Sequence, residues 1–333
     1  MSSSQTQISV VIPSFNSAKT IGKTLRALIA QQTTKAYEII VVDKQSTDGT
    51  QEIIESFKNR KITLLTTAEK GPAAGRNAGW KRARGEIIIF IDSDCVPHSD
   101  WLEKMVAPFD EPKVAAVGGA YETLNKRSLV SSFIGSEIDF RYSRLGRIVV
   151  AHGSYSLAVR KTVLEKVGGF SSSFKELATE DWEFTFKLGK SGFLIVFEPA
   201  AVVGHYHDES LFKYLKKQFT HAKWRVLLYY LYRKQPKLAE KDAYTGSLLK
   251  YQLLLASGVL ALLAFSVFNP TGLAASLVLA IVLLLSNIEY FLYTVGKGRL
   301  ALGLTGLGIQ FIRTFVWYAG MISGAFNIIK MKK

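Results

Sequence analysis

Short, continuous runs of apolar residues separated by polar turns dominate the first third of the chain. The runs are rich in Ile and Val and do not alternate with polar residues, as expected for parallel strands covered on both faces. Between them, apolar residues recur at helical spacing, for example Ile21, Leu25 and Leu28 after a predicted N-cap at Ser17. The pattern predicts an α/β fold with a doubly wound, mostly parallel sheet, which binds ligands at the carboxyl ends of its strands. The predicted strands are Ile8–Ile12, Glu38–Val42, Ile62–Leu65, Glu86–Ile91 and Val114–Val117.

This rhythm stops at residues 121–150, which resemble an insertion rich in Arg and Ser. A strand near Ser154–Val159, a helix after Asp181, and two strands at Phe193–Phe197 and Ala201–Val203 complete the predicted globular part. We therefore assign residues 1–207 to one globular domain.

The last third of the chain changes in character, because no residue from Tyr251 to Ile288 carries a formal charge. Residues 248–268 and 272–293 are each long enough to cross a bilayer, and Asn269-Pro270 between them is a turn signal. A third apolar segment, residues 300–329, is interrupted by Arg313. It therefore either crosses the membrane, or is tilted or re-entrant in it, or lies at the membrane interface. Its Gly320-xxx-Gly324 predicts close helix packing. Residues 248–333 are predicted to form a membrane domain.

The net charge of +15 and the pI of about 9.7 fit nucleic acid, an anionic membrane or phosphorylated substrates as partners. The distribution of charge favours the membrane. Nine Lys or Arg and one acid lie between Ser210 and Lys241, interleaved with aromatic residues just before the apolar run. Residues 208–247 are therefore predicted to form a basic amphipathic segment on an anionic membrane surface, with no nucleic acid as partner.

Basic residues also predict the orientation of the membrane domain. Lys250, Lys297 and Arg299 flank the hairpin formed by the first two spans and lie on one side of it. The positive-inside tendency makes that side cytoplasmic. The short polar N-terminus has no signal-peptide core, and the single Cys95 excludes an internal disulfide. We expect a multi-pass protein of the cell membrane with its globular domain in the cytoplasm.

Candidate chemistry follows the predicted strands. Asp92-Ser93-Asp94 comes directly after a strand, where one carboxylate can meet a ribose hydroxyl and the other can ligate Mn²⁺ or Mg²⁺ that bridges two phosphates. Arg76, in a helix opened by small residues that let a ligand approach, offers a cation to a base or diphosphate. Glu180-Asp181 can supply a general base, although a helix dipole also favours such a pair. His205 is either a ligand or structural, and Cys95 is interpreted as a small residue beside the turn.

Taken in order, these segments resemble the family 2 glycosyltransferases, which have the GT-A Rossmann-like fold. The resemblance runs from about Ile8 to about Trp224 and rests on V-I-P-x-x-N at 11–16, V-V-D-x-x-S-T-D-G-T at 41–50, G-x-x-x-x-R-N at 71–77, D-S-D, Gly168-Gly169-Phe170, Thr179-Glu180-Asp181 and His205-x-His207. It implies an inverting transfer from a UDP- or GDP-linked sugar, with a divalent cation, Mn²⁺ or Mg²⁺, as cofactor. It implies donor contacts from Pro13, Ser14, Phe15, Asn16, Asp43, Arg76, Asp92 and Ser93, a metal site at Asp94, Asp92 and His205, and catalysis by Asp181 with Glu180.

Departures from the family pattern limit the prediction. Lys44-Gln45 replaces the usual acidic or Asn residue followed by Gly, which leaves the base of the donor open. The Q-x-x-R-W motif of processive synthases is not matched at Gln218–Arg225, which favours a non-processive enzyme. The basic segment beside the membrane predicts a lipid-linked acceptor with a hydroxyl group. A polyprenyl phosphate acceptor and a non-enzymatic membrane scaffold remain as alternatives. A dinucleotide oxidoreductase or a nucleotidyltransferase would need a Gly-rich loop where Pro13–Asn16 stands.

Overall fold

The computed structural model describes residues 6–69, 71–173, 179–233 and 248–331, so residues 234–247 of the predicted basic segment lie outside it. The chain forms two compact units. The first comprises residues 1–124 and 145–206, and the second comprises residues 125–144 and 207–333. The end of the first unit lies one residue from the predicted domain end at residue 207. Residues 125–144, assigned from the sequence to the globular domain, belong to the second unit.

The first unit is built on a mixed sheet, which has nine strands among the described residues. The spatial order is β3-β2-β1-β4-β8-β6-β9-β5, and β7 pairs with β9. β1 to β4 run parallel to one another, as do β6 and β9, whereas β5, β7 and β8 are antiparallel to their neighbours. The predicted doubly wound α/β sheet is confirmed. The strands are β1 (Ile8–Ser14), β2 (Tyr37–Asp43), β3 (Ile62–Thr66), β4 (Ile87–Ile91), β5 (Cys95–Pro97), β6 (Val114–Thr123), β7 (Ile148–Val149), β8 (Ser156–Arg160) and β9 (Leu194–His205).

Helices connect these strands, and α1 shows how an apolar face is buried against the sheet. In α1, Ile21, Leu25 and Leu28 are buried in the same cluster as the residues of β1 and β2. The prediction of Ser17 as its N-cap is wrong. Thr20 occupies that position, and the hydroxyl of Ser17 lies 2.7 Å from that of Ser93 instead. The helices of this unit are α1 (Ile21–Ile29), α2 (Thr50–Ser56), α3 (Pro72–Arg82), α4 (Trp101–Val106) with a 3₁₀ turn at Ala107–Asp110, α6 (Lys161–Val167) and α7 (Glu180–Lys190).

The two predicted strands between Phe193 and Val203 are one strand, β9. Its pairing with β6 shifts register between Gly119 and Ala120, where Gly119 faces Glu198 but Ala120 faces Val202. The extra residues of β9 include Pro199, which has no N–H to donate to a regular ladder. A bulge therefore accommodates residues 198–200, which separate the two predicted strands.

The second unit is helical in its described parts. It contains α5 (Leu129–Tyr142), α8 (Leu211–Leu231), α9 (Leu248–Phe265), α10 (Thr271–Leu285), α11 (Ile288–Gly296) and α12 (Leu300–Met331). Among the described residues, two helices are long and apolar enough to cross a membrane, α9 and residues 300–329 of α12. α10 and α11 together would make a third span that is bent by 44°.

This bend corrects the prediction of one regular span over residues 272–293. The helix is interrupted at Ser286 and Asn287, whose side chains bond to the carbonyl of Leu283 at 2.7 and 3.3 Å. The side-chain amide of Gln252 in α9 then donates to Ser286 Oγ and Asn287 Oδ1 at 3.0 and 3.1 Å. Ser286 and Asn287 thus cover the carbonyl of Leu283 at the break, and Gln252 holds both side chains in place.

α12 packs lengthwise on α8, and its small residues allow the approach. A Cβ atom at Gly320 would lie 2.6 Å from the carbonyl oxygen of Phe219, and one at Gly324 would overlap that of Lys223. The predicted close packing of Gly320 and Gly324 is confirmed. Arg313, the charge that interrupts this apolar segment, pairs with Glu137 of α5 and donates to the hydroxyl of Tyr214 at 2.9 Å. Its charge is thus compensated inside the helical unit.

Candidate active site

The carboxyl ends of β1, β2 and β4 lie at one edge of the sheet, where the predicted donor site should be. Ser14 and Asp43 are register partners at the ends of β1 and β2. The following loops are joined by Asn16, whose N–H donates to Ser46 Oγ at 2.8 Å and whose Oδ1 accepts from the N–H of Thr47 at 3.0 Å. Asn16 has a φ of 50°, a left-handed conformation that Asn tolerates well. Beside it, the ring of Phe15 is exposed.

Asp43 is fully buried beneath these loops. Its Oδ2 accepts from the N–H of Ser46 at 2.9 Å and from Nε2 of Gln51 at 2.7 Å. Asp43 therefore ties the end of β2 to its own loop and to α2. The neighbouring Lys44 is half-buried. Burial lowers the pKa of its ammonium, and the positive charge of Arg76 lowers it further, against the opposing charges of Glu180, Asp43 and Asp92. A cation thus stands at this edge of the sheet.

Arg76 is buried between two carboxylates from distant parts of the chain. Its guanidinium lies 3.0 Å from Asp92 Oδ1 and 3.1 Å from Glu180 Oε1. Burial acts to lower the pKa of Arg76, but the two carboxylates outweigh it and the net change is upward. The small residues before and after it serve packing, because a Cβ at Gly75 would lie 3.1 Å from that of Pro13. Arg76 therefore joins α3 to the end of β4 and to the start of α7.

A second cluster lies on the other side of the Asp92-Ser93-Asp94 turn. Ligand atoms of Asp94, Cys95 and His205 all lie within 4.8 Å of one another, and His205 Nε2 is 3.4 Å from Asp94 Oδ2. A carboxylate and an imidazole suit Mn²⁺ and tolerate Mg²⁺, whereas a thiol suits softer metals. Burial raises the pKa of the Cys95 thiol well above its usual range, and Asp94 adds to this effect. Asp94 and His205 therefore fit a divalent cation, with Cys95 as a packed neighbour.

Asp92 stands apart from this cluster because its Oδ1 faces Arg76. Burial raises the pKa of Asp92, and the guanidinium of Arg76 opposes the rise. Ser93 is held by two contacts, its hydroxyl to that of Ser17 at 2.7 Å and its carbonyl to Thr24 Oγ1 at 3.0 Å. The turn is thus fixed with its two carboxylates directed to different partners, Asp92 to Arg76 and Asp94 to His205.

Asp181 occupies the first turn of α7, next to Glu180. Its Oδ1 accepts from the N–H of Trp182 at 2.8 Å, and its Oδ2 accepts from the N–H of Ser154 at 3.3 Å. Burial raises the pKa of Asp181 to about 7, and the adjacent negative charge of Glu180 contributes to the rise. A carboxylate with this pKa can accept a proton near neutral pH.

Two stacked tyrosines link the surroundings of Asp181 with the metal cluster. The rings of Tyr121 and Tyr155 are 3.5 Å apart between centroids and nearly parallel. Tyr121 also lies 4.8 Å from the ring of His205. At the other end, a Cβ built on Gly153 would be 2.7 Å from the ring of Tyr155 and 3.4 Å from Asp181 Oδ2. The candidate cation ligands and the candidate base therefore flank one aromatic wall.

The structure brings most of the predicted residues to this edge of the sheet, but the sequence reasoning missed others. The sequence predicts Ser154 and Tyr155 only as the start of a strand and assigns no role to His152. His152 is buried, and burial lowers its pKa to about 4. The sequence shows only a histidine and a glycine just before a predicted strand. This pattern does not distinguish a functional site from a packed turn.

Comparisons with known proteins agree with this geometry. Residues 9–168 match the family model described as Glycosyl transferase family 2. Glycosyltransferase AglE of Haloferax volcanii is 33% identical over 245 residues, covering 70% of this chain and 77% of that protein. A relative from Methanococcus voltae is 27% identical over 240 residues, covering 66% and 73% respectively. Its name is dolichyl N-acetyl-alpha-D-glucosaminyl phosphate 3-beta-D-2,3-diacetamido-2,3-dideoxy-beta-D-glucuronosyltransferase.

A solved structure shares the fold. Mannosyltransferase PcManGT from Pyrobaculum calidifontis, in complex with GDP-Man and Mn²⁺, matches with a TM-score of 0.63 at 19% identity. The match covers 96% of this chain and 87% of that one. At this level of identity the likeness concerns the fold alone, and it confirms the GT-A fold expected from the sequence.

Proposed function

Because the chain belongs to glycosyl transferase family 2, we propose that this glycosyltransferase moves a sugar from a nucleotide-diphosphate donor to a hydroxyl group and inverts the anomeric centre. The observation that carries the proposal is the placement of Asp181. Its carboxyl has a pKa of about 7 and lies across an aromatic wall from the candidate cation ligands Asp94 and His205. This arrangement supports one base on the acceptor side and charge neutralisation on the leaving-group side.

In the proposed reaction, Asp181 takes the proton of the acceptor hydroxyl while the hydroxyl oxygen forms a bond to the anomeric carbon. The bond from that carbon to the phosphate oxygen breaks, and the nucleoside diphosphate leaves with the bonding electrons. One in-line displacement inverts the configuration. The leaving diphosphate needs no proton if positive charge neutralises it, and the half-buried ammonium of Lys44 stands at the same edge of the sheet.

We assign Asp94 and His205 to a divalent cation, Mn²⁺ or Mg²⁺. When bound, such a cation stabilises negative charge on a diphosphate. Asp92, with one oxygen on Arg76, is assigned to the ribose of the donor, beside Ser93 and the loops of Pro13–Asn16 and Asp43. The donor is proposed to be linked to UDP or GDP.

Glu180 and Arg76 receive positioning roles in this proposal. Glu180 is 2% exposed, and its Oε1 lies 3.1 Å from Arg76 Nη1. A carboxylate held in this way serves the ion pair, since its loss would leave the buried guanidinium with one partner fewer. Glu180 therefore fixes the start of α7, and its charge helps to keep the pKa of the neighbouring Asp181 high.

The acceptor is proposed to be a lipid-linked saccharide that presents a hydroxyl. The name of the Methanococcus voltae relative describes transfer to a sugar of a dolichyl-linked compound. The apolar helices of the second unit and the exposed lysines of α8 support a membrane location for this chain. A phosphate acceptor would be ionised already at neutral pH and would not need Asp181 as a base.

We propose that α9, followed by α10 and α11 as a bent second span, anchors the chain in the cell membrane. α12 packs lengthwise on the basic helix α8, so we propose that it lies with α8 at the membrane surface instead of crossing the bilayer. Lys250, Lys297 and Arg299 lie at the ends of α9, α11 and α12. The positive-inside tendency then places them, with the first unit, on the cytoplasmic side. α8, whose face with Lys213, Lys216 and Lys217 is exposed, is proposed to lie against the anionic surface of the same leaflet.

The test combines a donor screen with a variant of the base. Purified protein with Mn²⁺ is given UDP- and GDP-sugars and a panel of lipid-linked saccharides, and release of nucleoside diphosphate is measured against pH. Because Asp181 works as the carboxylate, turnover should rise with pH through about 7. Asp181→Asn should lower turnover by about 10²–10⁴-fold and leave donor binding nearly unchanged.

Asp100→Asn is the matched control, because Asp100 is an exposed carboxylate at the start of α4 that pairs with Lys104. It should behave as the wild type. Wild-type turnover in Asp181→Asn, or preference for bare polyprenyl phosphate, would contradict the assignment of a hydroxyl acceptor. The absence of any donor binding by the intact chain would favour a scaffold.

A further inference from the structure

One peptide group connects the buried His152 with Asp181. The carbonyl oxygen of Gly153 lies 2.8 Å from His152 Nδ1. The N–H on the other side of the same peptide bond, that of Ser154, donates to Asp181 Oδ2 at 3.3 Å. A rotation of this peptide plane would therefore lose both hydrogen bonds together.

The contacts of the ring determine the tautomer of His152. A carbonyl oxygen can only accept, so Nδ1 must carry the proton that is donated to Gly153. Burial lowers the pKa of His152 to about 4, so the ring is neutral near pH 7 and Nε2 is an acceptor. The hydroxyl of Tyr155 lies 3.2 Å from Nε2 and 3.1 Å from the carbonyl oxygen of Gly119, so its one proton is shared between these two acceptors.

The backbone of His152 is attached to the same helix as Asp181. The N–H of His152 donates to Thr185 Oγ1 at 3.2 Å, and this hydroxyl lies 3.1 Å from the carbonyl oxygen of Asp181, one turn earlier in α7. Thr185 is fully buried, as is almost all of His152. The ring and the main chain of His152 are thus both held relative to α7.

We propose that His152 is a positioning residue for the general base: its Nδ1–H holds the Gly153–Ser154 peptide so that the Ser154 N–H points at Asp181 Oδ2. This inference rests on the proposed function, in which Asp181 is the base. Hydrogen bonds in a chain polarise one another, and a donor to a carboxylate favours its ionised form. His152 therefore lowers the pH at which Asp181 becomes active and fixes the direction of its second oxygen.

The test is the pH dependence of turnover in variants of His152. In His152→Phe the peptide loses its donor, so the acidic limb of the pH profile should move upward by about one pH unit. Because the wild-type limb lies at about pH 7, turnover at that pH should fall about 5-fold. At pH 9 the rate should return close to that of the wild type, with an unchanged KM for the donor. In His152→Asn the amide occupies the place of Nδ1 and can donate, so the limb should stay within a few tenths of the wild-type position.

His98→Phe is the control, because His98 is an exposed histidine that faces Glu122. It should leave the profile unchanged. A loss of turnover in His152→Phe that is equal at every pH, or an unshifted limb, would overturn the inference. If His152→Phe gives either of these results while Asp181→Asn is inactive, the inference about His152 is wrong but the proposed function stands. If Asp181→Asn is fully active, both the proposed function and the inference about His152 are wrong.

A measurement on the unmodified chain covers the case in which the Phe variant does not fold. With ¹⁵N-labelled histidine, the wild type should show His152 as the neutral Nδ1–H tautomer at every pH from 6 to 9, assigned by loss of its signals in His152→Asn. A resonance pattern of the Nε2–H tautomer, or protonation of the ring within this range, would overturn the inference.

Discussion

Replacing Arg76 with Met removes a buried guanidinium that faces the carboxylates of Asp92 and Glu180. The Met side chain fills similar space but leaves both carboxylates without that charge. Removing one partner of a buried ion pair typically costs about 3–5 kcal/mol, because the remaining charge stays desolvated. We expect the first unit to be destabilised, and the loss depends on how far each unpaired carboxylate can be hydrated.

The two carboxylates differ in this respect. The side chain of Glu180 is 3% exposed, whereas that of Asp92 is 34% exposed and can be hydrated in part. Most of the cost therefore arises at Glu180, and we expect a total of about 3 kcal/mol. In a unit of this size, that corresponds to a fall in Tm of roughly 6–12 °C.

The assay is thermal unfolding in detergent, followed by tryptophan fluorescence. Arg84→Met is the matched control, because Arg84 is 66% exposed and pairs with Glu38 at 2.8 Å. Glu38 keeps the hydroxyl of Ser9 at 2.7 Å and the N–H of residue 84 at 2.8 Å as donors. The side chain of Glu38 is only 8% exposed, but it keeps these two donors, so we expect the exposed guanidinium of Arg84 to contribute about 1 kcal/mol. The double variant Arg76→Met/Glu180→Gln should recover much of the lost stability, because the stranded charge is gone.

Equal falls in Tm for Arg76→Met and Arg84→Met would refute the reasoning, as would a double variant less stable than Arg76→Met alone. In either case the energy would not come from an uncompensated charge at Glu180. Arg76 would then act at the surface of the donor site, as the family resemblance alone implies.

Three further predictions concern the metal, the loop after β2 and the membrane. Turnover should disappear with EDTA and return with Mn²⁺ or Mg²⁺, and Asp94→Asn should lose orders of magnitude that excess cation does not restore; full activity in EDTA would exclude this site. Gln45 has a φ of 57°, so Gln45→Gly should raise the free energy of unfolding by about 0.5 kcal/mol. This figure is the left-handed strain that glycine relieves, reduced by the greater entropy that glycine loses on folding. A lower free energy of unfolding in a denaturant titration would contradict the prediction. In sealed vesicles with the cytoplasmic face outward, protease should cleave residues 1–233, and protection of that segment would reverse the proposed orientation.

Gln45 also shows how a departure from the family pattern becomes interpretable. The sequence indicated only that Lys44-Gln45 stands where an acidic or Asn residue and a glycine are usual. The structure supplies the reason for the glycine, since the position is left-handed. It also shows what Lys44 changes, because its ammonium lies within electrostatic reach of Asp43, Asp92 and Glu180.

The features that depend on local sequence were predictable. Runs such as Ile39–Val42 and Ile88–Ile91 are fully buried in parallel strands, and a continuous apolar run bounded by turns is sufficient to predict this. The location of Asp92 and Asp94 at the candidate site was also predictable. Both come just after β4, and parallel strands bring their carboxyl ends to one edge of the sheet. The approximate lengths of the apolar helices follow from composition.

The tertiary structure decided the features that depend on contacts between distant residues. Arg76 meets Glu180 across 104 positions of sequence, and Arg313 meets Glu137 across 176. The spacing of apolar residues carries no information on such pairs, because their geometry depends on how several elements pack together. The same holds for His152: only the contacts of the segment before β8 with α7 bring its peptide to Asp181. The sequence by itself determined which strands and helices form and which carboxylates lie at their ends. Their partners, and hence the pKa and direction of each acid, depend on the tertiary structure, since burial and nearby charge arise only when the chain has folded.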